Sequence, residues 1–137
     1  MSARQSANYT HQPGDTRPPF HVAVMAEPGL TIDAGTLYRR LIILLRDKRQ
    51  THRINFHTIF GEPLSATLSE VAERFNDRPS ATACAARGYW PGHMKSAVRV
   101  LSLVNAAVWF CEAETDGARW LVDVGRRVGV PVRIVRL

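Results

Sequence analysis

The sequence predicts an α/β fold, because short apolar runs alternate along the chain with segments whose apolar residues recur at helical spacing. The first run, 21–26, leads into Glu-Pro-Gly, which indicates a buried strand followed by a sharp turn. Comparable runs predict four further strands, at 54–60, 81–85, 106–111 and 130–135. The last of these has a proline near its start, where the missing amide hydrogen is tolerated.

Each predicted strand except the last is followed by a candidate helix. Asp33 can cap the first helix, and Thr67-Leu-Ser-Glu has capping-box spacing near the start of the second. The third helix directs apolar residues inward over 94–101. The fourth starts at Asp116, which is interpreted as its cap, and ends at Gly129, where a left-handed residue can close it.

Strands that alternate with helices predict a parallel sheet covered on both faces. The expected architecture is a three-layer Rossmann-like sandwich over 20–137, with a five-stranded parallel sheet and about four helices. Residues 1–19 contain three prolines and almost nothing to bury, which predicts a flexible tail. Ligands of such sheets bind beyond the carboxyl ends of the strands, where the strand order reverses, here predicted between the first and fourth strands.

Length and composition fit one domain with a sizeable core: 137 residues, 45% of them apolar and 22% charged. No stretch approaches the roughly 20 apolar residues of a membrane span, and the start lacks the apolar region of a secretory signal. A soluble, cytoplasmic protein is therefore expected. Cys84 and Cys111 lie in apolar runs without metal-ligand spacing, which favours buried thiols, and no metal or cofactor is predicted.

The formal net charge of +6 is compatible with a nucleic-acid partner, a phosphate-bearing ligand or solubility alone. Much of it falls within 39–53. The solvated flank of an amphipathic helix is the favoured interpretation, because no aromatic residues interleave the cluster as a platform for stacked bases would require. His52 and His57 have no Ser, Cys or metal-ligand partner at suggestive spacing, so no function is predicted for them.

The loops after the predicted strands carry the candidate site, because the carboxyl ends of parallel strands share one edge of the sheet. Candidate ligand-binding residues on these loops are Glu27, Gly29, Gly61, Glu62, Arg87, Thr115, Gly117 and Arg119. Candidate catalytic carboxylates are Glu112 and Glu114. Four glutamates on one rim would repel each other unless a ribose, a cation or arginines engaged them.

Two chemistries fit these acids. A carboxylate can accept hydrogen bonds from ribose hydroxyls, and one whose pKa is raised by its like-charged neighbours can act as a general acid or base. The alternative is structural: acids favour the first turns of helices because of the helix dipole, and each glycine could belong to an ordinary turn. The loop 87–93 could likewise stack Tyr89 or Trp90 on a base, or pack its Trp beneath the third helix.

Several segments together carry a family resemblance: Asp33 at the first helix, the glycine-containing segment 60–72 that enters the second helix, and Gly-Val-Pro-Val at 129–132. Through them residues 22–135 resemble the SLOG superfamily of small Rossmann-like domains, in particular the group related to YspA and cpYpsA. The segment 114–118 occupies the place of that family's glycine-rich phosphate loop, of which only Gly117 is retained. The glycine pair after the second strand is reduced to Gly61.

The resemblance implies binding of a nucleotide or nucleotide-derived ligand, often by a sensor. It also implies a distant relation to the LOG enzymes, which cleave the N-glycosidic bond of nucleoside monophosphates with an arginine and a glutamate near the phosphate loop. Arg119 and Glu114 would take those places. Acids in place of loop glycines obstruct a phosphate, so a ribose, a base or a less charged derivative is the expected ligand.

Three functions remain open from the sequence. The leading hypothesis is a ligand-binding module for a nucleotide-derived small molecule, with a homo-oligomer possible. The second is a nucleoside or nucleotide N-glycosidic hydrolase that uses Glu112 or Glu114. The third is a degenerate Rossmann domain that acts as an interaction protein, with nucleic acid a possible but less favoured partner of the basic flank.

Overall fold

The computed structural model describes residues 17–27, 29–58, 64–76, 94–113 and 115–137. These residues form nine helices and strands in the order β1 Pro19–Ala26, α1 Ala34–Leu44, α2 Arg46–Thr51, β2 Arg53–His57, α3 Leu64–Asn76, α4 Met94–Leu103, β3 Ala106–Cys111, α5 Asp116–Val128 and β4 Val132–Arg136. The α/β class is confirmed.

The described residues hold four strands and five helices, where the sequence predicts five strands and about four helices. The predicted strand at 81–85 lies outside the described residues. The additional helix is α2, which follows a break at Leu45, where φ −110° and ψ 14° leave the helical region. β1 begins at Pro19, the last residue of the predicted tail, and residues 1–16 of that tail are also outside the described ranges.

The four strands form one parallel sheet in the order β2-β1-β3-β4. The chain moves from β1 to β2 in one direction and from β3 to β4 in the other, so the strand order reverses between β1 and β3. These are the first and fourth strands predicted from the sequence, and their adjacency is confirmed. Residues 22–25 of β1 are fully buried, as expected of a central parallel strand covered on both faces.

Alternate side chains of the sheet enter two separate cores, because successive residues of a strand point to opposite faces. Val22 and Val24 pack with α1 and α3 in one core. Ala23 and Met25 pack with α4 and α5 in the other. The described residues therefore form three layers, with helices on both faces of the sheet. No helix of this part of the chain is long and apolar enough to cross a membrane.

Two of the predicted helix ends are confirmed and two are wrong. Asp33 caps α1 and accepts hydrogen bonds from the Thr36 amide at 2.8 Å and the Thr36 hydroxyl at 2.9 Å. These bonds hold the pKa of the Asp33 carboxyl below its usual value. Gly129 closes α5 with φ 77°, as predicted. Thr67 lies inside α3, so it is not the N-cap of that helix.

The cap of α5 is Thr115, so the interpretation of Asp116 as the cap is wrong. Thr115 has extended backbone angles, φ −126° and ψ 171°, and its hydroxyl accepts a hydrogen bond from the Ala118 amide. Asp116 is the first helical residue. Its carboxylate still lies in the first turn, where the helix dipole favours negative charge.

Candidate functional site

A hollow of about 580 Å³ lies at the carboxyl ends of β1 and β3, at the point where the strand order reverses. Its described lining residues follow these two strands and are Glu27, Gly29, Leu30, Thr31, Glu112, Ala113 and Thr115. Four residues predicted from the sequence therefore meet here: Glu27, Gly29, Glu112 and Thr115. The hollow has the size of small-molecule sites in other proteins.

The Glu27 side chain is fixed by two donors at one of its oxygens. The indole Nε1 of Trp109 donates to Glu27 Oε2 at 3.0 Å, and the hydroxyl of Thr115 donates to the same oxygen at 2.9 Å. The Glu27 amide donates to the Phe110 carbonyl at 2.9 Å, which continues the pairing of β1 with β3. The other oxygen, Oε1, has no hydrogen-bond partner among the described residues.

The pleat of the sheet explains why Trp109 meets Glu27. Met25 lies opposite Trp109 in the β1–β3 register, and both side chains enter the core beneath α4 and α5. Glu27 is two residues beyond Met25 and points to the same face. The buried indole therefore directs its N–H group along the sheet to the carboxylate, which gives the polar atom of a fully buried Trp a partner.

Thr115 connects Glu27 to α5. Its hydroxyl oxygen accepts from the Ala118 amide at 3.3 Å while its proton is donated to Glu27. The Glu27 carboxylate therefore lies near the amino terminus of α5, where the helix dipole favours an anion. The carboxylate of Glu27 thus occupies a position at which many α/β proteins bind the phosphate of a ligand.

The two described glycines of the candidate site have different roles. Gly29 has φ 87°, in the left-handed region, within a turn closed by the Leu30 amide and the Glu27 carbonyl at 3.0 Å. The turn accounts for this glycine. A Cβ at Gly117 would lie 3.7 Å from Thr115 Oγ1 and 3.8 Å from the Trp109 ring, which are ordinary contacts, so the backbone there does not require glycine.

Arg119 does not line the hollow. Its guanidinium pairs with Asp116 at 2.6 Å on the exposed side of α5. With Val122, Asp123 and Ile134 it lines a separate groove of about 360 Å³ between α5 and β4. Four other predicted site residues lie outside the described residues and remain predictions: Gly61, Glu62, Arg87 and Glu114.

The described wall of the hollow contains two carboxylates and no cationic side chain. It presents the half-buried Glu27 carboxylate, the exposed Glu112 carboxylate and the carboxylate-bound hydroxyl of Thr115. Such a wall can accept hydrogen bonds from hydroxyl and amine groups. Within the described ranges, no group of three or more His, Cys, Asp and Glu side chains could hold a metal ion. Cys111 is buried and forms no disulfide, as predicted, and Cys84 is outside those ranges.

The structure contains a histidine pair that the sequence patterns do not predict. His21 Nδ1 and His57 Nε2 lie 2.9 Å apart, and the ring centroids are 5.1 Å apart. The two nitrogens therefore point almost directly at each other, and one ring donates a hydrogen bond to the other. Burial, and secondarily the charge of His21, lowers the pKa of His57 from its usual value of 6.5. Only the register of β1 and β2 brings these residues together.

This pair predicts that the protein loses stability in mild acid. Because the pKa of His57 is lower in the folded than in the unfolded chain, the unfolded chain binds more protons below pH 6.5. The free energy of unfolding should be greatest above pH 6.5 and fall as the pH drops below it. Urea denaturation at pH 8, 7, 6 and 5 measures this change.

The control is a comparison of His57→Gln with His52→Gln, which removes a histidine outside the pair. His57→Gln should flatten the pH dependence, whereas His52→Gln should retain it. An unchanged slope in His57→Gln would contradict the role assigned to the pair.

Comparisons with protein-family models, curated proteins and solved structures give no match to this chain. The described residues define the class of the protein as an α/β protein with a four-stranded parallel sheet and an acidic hollow at the point where the strand order reverses.

Proposed function

We propose that the hollow binds a nucleotide-derived small molecule and that the protein acts as a sensor or accessory module. The observation that carries this proposal is the Glu27 carboxylate, held between Trp109 and Thr115 at the wall of the hollow. In Rossmann-like sheets the crevice at this place is where ligands bind.

The arrangement of Glu27 suits a ligand hydroxyl. Two donors hold Oε2, so the carboxylate loses little further freedom when a ligand approaches Oε1. A ribose diol offers two adjacent donors, and a carboxylate is their usual acceptor in this architecture. Thr115 cannot donate to the ligand at the same time, because its one hydroxyl proton is already hydrogen-bonded to Glu27.

The charge of the described wall favours a ligand with little negative charge. Glu27 and Glu112 both contribute carboxylates, and Arg119 faces a different groove. Like charges across an interface are unfavourable, so a phosphate would be repelled here. A nucleoside, or a derivative whose phosphates extend away from the hollow, is the ligand class that fits.

The resemblance to the SLOG superfamily supports the same class of ligand. The hydrolase reaction of its LOG branch has less support. Glu112 lies on the rim and is exposed, whereas electrostatic catalysis is strongest where water is excluded. Binding without turnover is therefore the function proposed for the hollow.

Glu27→Gln tests the proposal in a thermal-shift assay against nucleosides, nucleoside monophosphates and ADP-ribose. A ligand that binds the folded state should raise the melting temperature of the unmodified protein. Glu27→Gln should weaken binding about tenfold or more, since one charged acceptor is lost. Glu70→Gln, the same change on the exposed surface of α3, is the matched control and should bind normally.

No shift with any compound of the panel would contradict the proposal. Equal binding by Glu27→Gln and the unmodified protein would show that the ligand binds at a site away from Glu27. Release of the free base from any compound would show that the protein hydrolyses its ligand and does not only bind it.

A further inference from the structure

The opposite end of the sheet carries a strongly basic surface. Arg17 precedes β1, Arg53 begins β2, and α2 leads into β2, so their side chains gather at the amino ends of these strands. This surface, here called the basic rim, is formed by Arg17, Arg46, Lys48, Arg49 and Arg53. It lies at the far edge of the sheet from the hollow and involves none of its described lining residues.

Backbone carbonyl groups hold three arginines of the basic rim in place. Arg17 donates to the Arg49 carbonyl at 2.9 Å, and Arg53 Nε donates to the Arg17 carbonyl at 2.8 Å. Arg49 donates to the Phe75 carbonyl at 3.0 Å, at the end of α3. A guanidinium has five N–H donors, so the anchored groups of Arg49 and Arg53 retain donors for another acceptor.

Four cations of the basic rim have no ion-pair partner within the described part of the chain. Arg46, Lys48, Arg49 and Arg53 form no ion pair there with a carboxylate. On α5, by contrast, two of the exposed arginines pair with aspartates, at 2.6 Å in Asp116–Arg119 and at 3.4 Å in Asp123–Arg126. The cations of the basic rim outnumber Asp47, the one acid of α2, and therefore create a positive surface field.

The fold also brings aromatic rings to this surface. The Lys48 ammonium lies 5.0 Å from the Phe20 ring centroid, and the Phe20 and His52 rings meet edge to face at 5.8 Å. Both rings are partly exposed. Residues 39–53 contain no Phe, Tyr or Trp, which by itself disfavours a nucleic-acid surface. Phe20 supplies an aromatic ring from β1, a distant part of the chain.

We propose that the basic rim binds single-stranded nucleic acid through its phosphate backbone. Anchored arginines suit phosphate oxygens, and the partly exposed His52 ring, which meets Phe20 edge to face, offers a surface for a base. Sequence-tolerant single-strand binders use the same combination of cations and rings. An anionic membrane fits less well, because residues 46–51 present no apolar side chain that could insert. This proposal is independent of the ligand of the hollow.

Fluorescence anisotropy with labelled oligo(dT) and oligo(U) of about 20 nucleotides tests the proposal. If three to four cations contact phosphates, the plot of log K against log salt should have a slope of about −2 to −3. Arg46→Glu with Lys48→Glu reverses two charges of the basic rim and should weaken binding at least about tenfold. His52→Ala should weaken binding less and leave the salt slope unchanged.

The matched control is Arg127→Glu with Arg133→Glu, an identical charge change at exposed positions of α5 and β4. This control should retain most of the affinity. Equal weakening by both double variants would show that net charge alone drives binding and would overturn the proposal. So would a lack of binding by the unmodified protein at 50 mM salt, or binding to anionic vesicles but not to oligonucleotides. Circular dichroism confirms that each variant is folded.

Discussion

Replacing Trp109 with alanine is expected to lower the free energy of unfolding by about 4 kcal/mol. Trp109 is fully buried and is the largest of the fully buried side chains in the described part of the chain. Its removal leaves a cavity between β3 and α5, where Leu121 and Ala118 pack. It also removes one of the two donors that fix Glu27. Urea denaturation measures the loss, and ligand binding should fall with it.

Trp109→Phe separates packing from hydrogen bonding. Phenylalanine retains much of the buried ring but has no N–H group for Glu27. Its expected cost is smaller, about 1–3 kcal/mol, because a carboxylate oxygen loses one donor and the ring loses part of its volume. A Trp109→Ala protein within about 1 kcal/mol of the unmodified protein would contradict the burial described here. Normal ligand binding by Trp109→Phe would show that Thr115 alone is sufficient to orient Glu27.

Gly125→Ala is expected to destabilise the protein by about 2 kcal/mol. A Cβ at this position would lie 2.5 Å from Val132 Cγ2 and 2.6 Å from the Val130 carbonyl oxygen. The Val130 amide bonds to the Gly125 carbonyl at 2.8 Å, so helix and chain are held together at this point. Overpacking costs typically 1–3 kcal/mol, which exceeds the gain of up to about 1 kcal/mol from the better helix propensity of alanine.

Gly117→Ala is the matched control on the same helix. Its Cβ would have no neighbour closer than 3.7 Å, so only the propensity gain remains. We expect a change between zero and about 1 kcal/mol of stabilisation. Both variants can be compared by urea denaturation under one set of conditions. Similar stabilities for Gly125→Ala and Gly117→Ala would contradict the close approach of α5 to the chain that enters β4.

Local patterns were sufficient to predict the main features of the fold. The apolar runs that became β1 and β3 are unbroken because both faces of a central parallel strand are buried. The place of Glu27 and Glu112 follows from the shared edge of parallel strands. Gly129 is predicted to end α5 because glycine readily adopts the left-handed backbone that commonly closes a helix.

Features that depend on register or on distant contacts could not be predicted. The His21–His57 pair exists only in one alignment of β1 with β2. Thr115 and Asp116 are both good caps, and the bond to Glu27 favours Thr115 in that role. The Phe20 ring that borders the basic rim lies outside the basic segment 39–53. The sequence pattern of that segment therefore does not indicate it.

The bonding at Thr115 restricts which amino acids can replace it. One atom must donate to Glu27 and accept from the Ala118 amide, and a hydroxyl oxygen does both. Serine would preserve the arrangement, whereas aspartate, normally a strong cap, would set two carboxylates against each other. Among homologous chains, positions 27 and 115 should therefore covary: Ser or Thr at position 115 wherever position 27 is acidic, and a wider choice where it is not.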